Sequence, residues 1–156
     1  MLETSDEKLQ WLIDRTQISE LLFSFAAALD NKDWQSYVDN YADEGYIELP
    51  DPKSDCGATF VLRKPEMLQM VPKSLGRYRA THHLSANHQI RIAGELASSR
   101  SYLQAVHVNG ASSDHWTAGG WYDCTYRRTT TGWKFTSVKL TAIWLAGRIG
   151  HVKPKT

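Results

Sequence analysis

The order of the hydrophobic patterns along the chain constrains its fold more than any other feature. Residues 4–29 and 33–41 carry apolar residues at helical spacing, and a third helix is predicted to start at Pro65 and to break or kink near Pro72. Four long strand-like stretches follow, at 81–92, 97–108, 116–128 and 133–144. Helices followed by long strands, without alternating βαβ units, indicate an α+β fold with an antiparallel sheet.

Local signals place the remaining boundaries. Thr4 and Glu7 have the spacing of a capping box, and Asn31 is predicted to end the first helix in a left-handed conformation. Residues 45–49 and 58–62 are predicted to be two short strands that flank a loop rich in proline and glycine.

The chain of 156 residues fits one domain, predicted over 1–156, and contains no internal repeat, low-complexity stretch or linker. An antiparallel sheet of long strands twists and curls, and helices on its concave side leave a funnel between the two layers. Such a funnel can hold a small ligand. We therefore expect a cone-like pocket.

Charge and composition exclude several classes of partner. Lys and Arg number 18 against 17 Asp and Glu, a formal net charge of +1, which gives no electrostatic reason to expect nucleic acid or an anionic membrane. No run approaches 18 apolar residues, and the polar N-terminus lacks a signal-peptide pattern, so a cytoplasmic protein is expected. Cys56 and Cys124 form no CxxC pair and are interpreted as ordinary thiols.

The histidines and glycines match no cofactor motif. The sequence has no HExxH spacing, phosphate-binding glycine loop, GxSxG elbow or dinucleotide fingerprint. We therefore expect neither a metal nor a cofactor, which leaves acid–base chemistry by side chains.

Asp30, in the stretch ALDNKDW, is the first candidate for such chemistry. It follows a predicted helix C-terminus, where the macrodipole disfavours negative charge, and burial at a pocket mouth would raise its pKa further. This placement suits a proton acceptor. The alternative is an exposed turn residue.

The stretch THHLSANHQIRI contains the second candidate. On regular alternation His82 shares an apolar row with Leu84 and is predicted to face the core, whereas His83 belongs to a polar row that faces either solvent or a pocket. His107 could reach the same pocket from the next strand. Further aromatic residues are interpreted either as pocket walls or as core: Trp34, Tyr46, Trp121, Tyr122 and Trp144.

Six stretches in one order, ALDNKDW, YADEGYIEL, THHLSAN, SYLQAVH, AGGWYDCTYRR and GWKF, resemble the SnoaL-like branch of the nuclear-transport-factor-2 superfold. This family includes scytalone dehydratase, hexachlorocyclohexane dehydrochlorinase and polyketide cyclases. The resemblance implies that Asp30 and His83 form a catalytic pair, because Thr81, His83 and Asn87 match a T-x-H…N frame. Tyr46 matches an aromatic position that activates the substrate carbonyl or its water.

The resemblance implies a cofactor-independent lyase, of dehydratase type, acting on a small hydrophobic and oxygenated substrate. An isomerase or polyketide cyclase would use nearly the same base, and a non-catalytic assembly domain, like a ring-hydroxylating dioxygenase small subunit, is the competing class. A dimer or trimer, joined through the outer sheet face, is expected. The residues expected to bind substrate are Tyr46, His107, Trp34, Tyr122 and Trp144.

Overall fold

The structure is a computed structural model, and it describes residues 4–51, 57–110 and 114–147. The described helices are α1 Ser5–Asp30, α2 Trp34–Asp39 and α3 Lys64–Leu75. The described strands are β1 Tyr41–Pro50, β2 Thr59–Arg63, β3 Ala80–Ala93, β4 Leu96–Val108, β5 His115–Thr129 and β6 Gly132–Gly147. None of the helices in these ranges has the length and apolar character needed to cross a membrane.

Helix α1 begins as predicted and ends one residue later than predicted. The Thr4 hydroxyl accepts the Glu7 N–H at 3.1 Å, and the Glu7 carboxylate accepts the Thr4 N–H at 2.9 Å. Asn31 is not left-handed: its φ is −82°, and its N–H bonds to Ala27 as the helix continues. Lys32 has the positive φ of 57° instead. The Lys32 N–H donates to the Leu29 carbonyl and the Asp33 N–H donates to the Ala28 carbonyl, and these two bonds form a Schellman-type helix end.

The two shorter helices also differ from the prediction. Helix α2 ends at Asp39, because the Asn40 carbonyl already accepts an N–H from Phe135 and the chain enters β1. Helix α3 runs past Pro72 to Leu75, so of the predicted break or kink the break is wrong. Proline removes only one donor, and the Pro72 carbonyl still accepts the N–H of Gly76.

The six strands form one curved, open sheet in the order β2-β1-β6-β5-β4-β3. All neighbours pair antiparallel except β1 and β6, which are parallel. The four long strands were predicted with boundaries within three residues of those observed. The helices cover one face of the sheet, where the largest buried side chains are Phe25, Tyr37, Tyr41, Tyr126 and Phe135.

A bulge in β3 overturns the predicted assignment of its two faces. Asn87 has a φ of 53°, and the pairing with β4 shifts register around it. His83 before the bulge and Ile90 after it therefore lie on the same inner face. His82 and Leu84 are exposed on the outer face, so the prediction that His82 faces the core is wrong.

Candidate active site

Asp30 and His83 meet where the end of α1 packs against the start of β3. His83 Nδ1 lies 2.6 Å from Asp30 Oδ1, and the His83 backbone N–H donates to Asp30 Oδ2 at 2.9 Å. The Thr81 hydroxyl also donates to Oδ1, at 2.9 Å. The His83 side chain is 6% exposed and that of Asp30 is 21% exposed, so both are largely buried and Asp30 is the more accessible of the two.

These hydrogen bonds decide the charge of Asp30. Burial is the largest single effect, and it opposes ionisation of Asp30. The hydrogen bonds from the His83 side chain and backbone, the charge of His83 and the hydrogen bond from Thr81 together outweigh burial. The pKa of Asp30 is therefore lowered. The expectation of a raised pKa is therefore wrong. Because an ionised carboxylate only accepts hydrogen bonds, Nδ1 of His83 must carry the proton, and Nε2 is free to take one.

His107 lies beside the pair. Its ring meets that of His83 edge-on, with centroids 5.5 Å apart, and stacks on Trp116 at 3.8 Å with an interplanar angle of 4°. His107 is 5% exposed, and its Nδ1 is enclosed without a hydrogen-bond partner among the described residues. Burial, with contributions from the charges of His83 and Arg77, lowers the pKa of His107 to about 4, although Asp30 opposes this.

The turn between α3 and β3 adds a residue that the sequence interpretation missed. Tyr78 is buried in this turn, and its ring lies 5.0 Å from that of His107. Its hydroxyl accepts the Trp116 indole N–H at 3.1 Å and an Arg77 guanidinium N–H at 2.9 Å. The Lys32 ammonium donates to the backbone carbonyl of Tyr78 at 2.7 Å. A large aromatic residue between two arginines in a turn was the available signal.

Two of the predicted substrate-binding aromatic residues lie on the helix-covered side of the sheet. Tyr122 is 5% exposed and packs edge-on against Phe25 at 5.4 Å. Burial, followed by smaller contributions that include the charge of Asp30, raises the pKa of Tyr122. Trp34 begins α2 and packs half-buried against the core.

The other two predicted residues, Tyr46 and Trp144, lie on the opposite face from His83. Tyr46 pairs with Ser137 and lines a polar groove of about 540 Å³ on the outer face of the sheet. Trp144 is 44% exposed, and its indole lies across Gly119, where a Cβ atom would collide with the ring. Because strand residues alternate between faces, the neighbouring Ile47 is buried while Tyr46 points outward. The predicted roles of Tyr46 and Trp144 therefore do not fit this site.

Within the described ranges, no three His, Cys, Asp or Glu side chains are grouped closely enough to hold a metal ion. Cys124 is a buried free thiol, and burial raises its pKa to about 12. A buried thiol of this kind is unreactive, which agrees with the interpretation of Cys124 as an ordinary thiol. Cys56 lies outside the described residues.

The profile of the SnoaL-like domain matches residues 10–139. The chain belongs to the SnoaL-like family. A curated relative, the uncharacterized protein Rv2910c of Mycobacterium tuberculosis, is 26% identical over 122 residues, which cover 78% of this chain and 80% of that protein.

Solved structures confirm the SnoaL-like fold. Kfla4162 from Kribbella flavida has a TM-score of 0.75 at 26% identity, covering 86% of this chain and 93% of that one. A candidate scytalone dehydratase from Novosphingobium aromaticivorans has a TM-score of 0.75 at 20% identity, covering 91% of each chain. A type 2 hexachlorocyclohexane dehydrochlorinase, LinA, has a TM-score of 0.75 at 16% identity, covering 95% of this chain and 98% of that one.

Proposed function

We propose that this protein is a cofactor-independent lyase of the dehydratase type, acting on a small hydrophobic substrate that carries a carbonyl group. The observation that carries the proposal is the 2.6 Å contact between His83 Nδ1 and Asp30. It creates a histidine whose second nitrogen is a base and whose protonated form has a carboxylate beside it. The similarity to a candidate dehydratase and a dehydrochlorinase supports the same class of reaction.

In the proposed reaction, Nε2 of His83 removes a proton from the carbon next to the carbonyl. The electrons of that C–H bond form the new C=C bond, and the hydroxyl on the next carbon leaves with the electrons of its C–O bond. The imidazolium returns the proton to the leaving hydroxide as water. Asp30 stabilises the imidazolium throughout. General base catalysis of this kind supplies about 10²–10⁴-fold, and orientation in the pocket supplies the remainder.

An isomerase or cyclase would share the first step and differ after it. An assembly domain would need neither removal of the proton nor loss of the hydroxyl. The buried position of His83 and its two contacts with Asp30, one through the ring and one through the backbone N–H, favour a catalytic pair over a surface turn residue.

The test uses 4-hydroxy-4-phenylbutan-2-one, a hydrophobic β-hydroxy ketone, in D₂O. Deuterium exchange next to the carbonyl, followed by NMR, reports proton removal, and absorbance of the conjugated enone reports loss of water. We expect the native protein to accelerate both, and His83→Ala to reduce both to the buffer rate. His82→Ala is the matched control, because the neighbouring histidine lies exposed on the other face.

Asp30→Asn should lower kcat by about 10²-fold or more with a smaller change in KM, because it removes the charge that stabilises the imidazolium. The double variant should be hardly worse than His83→Ala alone, since the two residues act as one unit.

Exchange without loss of water would favour an isomerase or cyclase. A His83→Ala protein as fast as the native one would disprove the assigned base, and a native protein inactive in both assays would favour an assembly domain.

A further inference from the structure

We propose that Tyr78 is a second functional residue of this site, whose hydroxyl donates a hydrogen bond to a carbonyl or enolate oxygen of the bound molecule. The proposal rests on the proposed function only for the identity of that oxygen. The donor itself is inferred from the hydrogen bonds around Tyr78.

The first argument is the number of hydrogen bonds that the Tyr78 hydroxyl can accept and donate. It accepts one hydrogen bond from Trp116 Nε1 at 3.1 Å and one from Arg77 Nη2 at 2.9 Å. Indole and guanidinium groups are donors only, so neither bond can be reversed. Both acceptor positions of the oxygen are therefore used, and its own O–H must donate elsewhere. No described residue accepts that proton, although Tyr78 is only 4% exposed.

The second argument is the strength of this donor. The Arg77 guanidinium donates a charge-assisted hydrogen bond and also lies 5.0 Å from the centre of the Tyr78 ring. Donation into the phenol oxygen polarises its O–H bond, and hydrogen bonds in a chain strengthen one another. Tyr78 is thus suited to an acceptor that gains negative charge during a reaction.

The third argument is location. The Tyr78 ring meets His107 at 5.0 Å, and His107 in turn meets His83 at 5.5 Å. Lys32, two residues after Asp30, bonds the backbone carbonyls of Gly76 and Tyr78 and so joins the turn to the end of α1. The hydroxyl predicted for carbonyl activation, that of Tyr46, lies on the other face of the sheet. Tyr78 supplies an alternative donor on the same side of the sheet as the pair of Asp30 and His83.

The test measures binding separately from turnover. The probe is p-nitrophenol, whose phenolate form carries an enolate-like oxygen and whose absorbance changes on hydrogen bonding. Tyr78→Phe retains the ring, and we expect it to weaken p-nitrophenolate binding by about tenfold. Tyr102→Phe is the matched control, because Tyr102 is 51% exposed and lies on the outer face of β4. Thermal melts check that each variant is folded.

Turnover of the β-hydroxy ketone gives the second readout. Tyr78→Phe should lower kcat more than it changes KM, because a donor to a developing oxyanion acts mainly in the transition state. Arg77→Met, which keeps the hydroxyl and alters an exposed side chain, should cause a smaller loss of both binding and kcat.

The outcomes separate the two proposals. Equal p-nitrophenolate binding by the native protein and Tyr78→Phe, or no binding by the native protein, overturns the assignment of Tyr78. Tyr78-dependent binding by a protein that neither exchanges nor dehydrates the ketone supports the donor and refutes the lyase.

Discussion

The two histidines of the site differ in the partners of their ring nitrogens, and this difference divides their roles. His83 has Asp30 at 2.6 Å, so its protonated form is stabilised by a neighbouring negative charge. His107 is enclosed between aromatic rings and its Nδ1 has no partner among the described residues. A proton is therefore disfavoured on His107, which suits His107 to a neutral polar contact with substrate.

The lowered pKa of His107 predicts a loss of stability in acid. The pKa of about 4 in the folded protein lies below the ordinary 6.5, so between these values the unfolded chain binds the extra proton. The free energy of unfolding should thus be unaffected by this group above pH 6.5, and should fall as the pH decreases from about 6.5 to about 4. The loss should be on the order of 2 kcal/mol.

Urea unfolding of the native protein and of His107→Gln at pH 7 and pH 4.5 measures this effect. Burial also lowers the pKa of His88, but that histidine is present in both proteins and its contribution cancels. The variant should lose less stability than the native protein between the two pH values. An identical loss in both would contradict the prediction.

At the scale of elements, helix α1 is tied to the sheet by an ion pair in its first half, between a buried carboxylate and a partly exposed arginine. Asp14 is 3% exposed and accepts two hydrogen bonds from Arg128 of β5, each of 2.7 Å. The Trp133 indole of β6 donates to the same carboxylate at 3.2 Å. Since α1 carries Asp30 at its other end, this contact helps to hold the helix that positions the catalytic pair.

Removing Asp14 should therefore destabilise the protein strongly. Asp14→Ala leaves the Arg128 guanidinium and the Trp133 indole without their shared acceptor, and we expect the free energy of unfolding to fall by about 3 kcal/mol. Glu95→Ala is the control: Glu95 also pairs with Arg128, but its side chain is 72% exposed, and the expected loss is at most about 1 kcal/mol. Urea unfolding at pH 7 compares the two, and similar losses would count against the pair of Asp14 and Arg128 as an anchor.

At the scale of the whole molecule, the outer face of the sheet has an apolar end and a polar end. Leu84, Tyr102 and Trp144 are each more than two-fifths exposed at one end. The groove at the other end contains ion pairs of Arg100 with Asp123 and of Lys139 with Glu48. A surface that carries both apolar side chains and both signs of charge can be complementary to a second copy of itself.

We expect a homo-oligomer, a dimer or a trimer, joined through this outer face. Sedimentation equilibrium at micromolar concentration should give a multiple of 17.7 kDa, and Tyr102→Glu should shift the mass toward the monomer. Leu9→Glu, on an equally exposed position of α1, is the matched control and should leave the mass unchanged. A native protein of 17.7 kDa under these conditions would refute the prediction.

Local patterns in the sequence determined the elements and their order. The capping box at Thr4 and the strand-like pattern of β4 involve neighbours along the chain, so they predict a helix start and a strand without knowledge of the fold. The family frame also identified Asp30 and His83, which are 53 positions apart and in contact in the structure.

Tertiary structure decided what the patterns left open. The bulge at Asn87 reversed the faces of β3 within one strand, which uniform alternation does not anticipate. The sign of the pKa change of Asp30 depended on hydrogen bonds from another element, and these outweighed the burial that the sequence suggested. Tyr78 became a candidate only when Trp116 and Arg77 were found on its oxygen, because the number of donors around an atom depends on residues that meet only after the chain has folded.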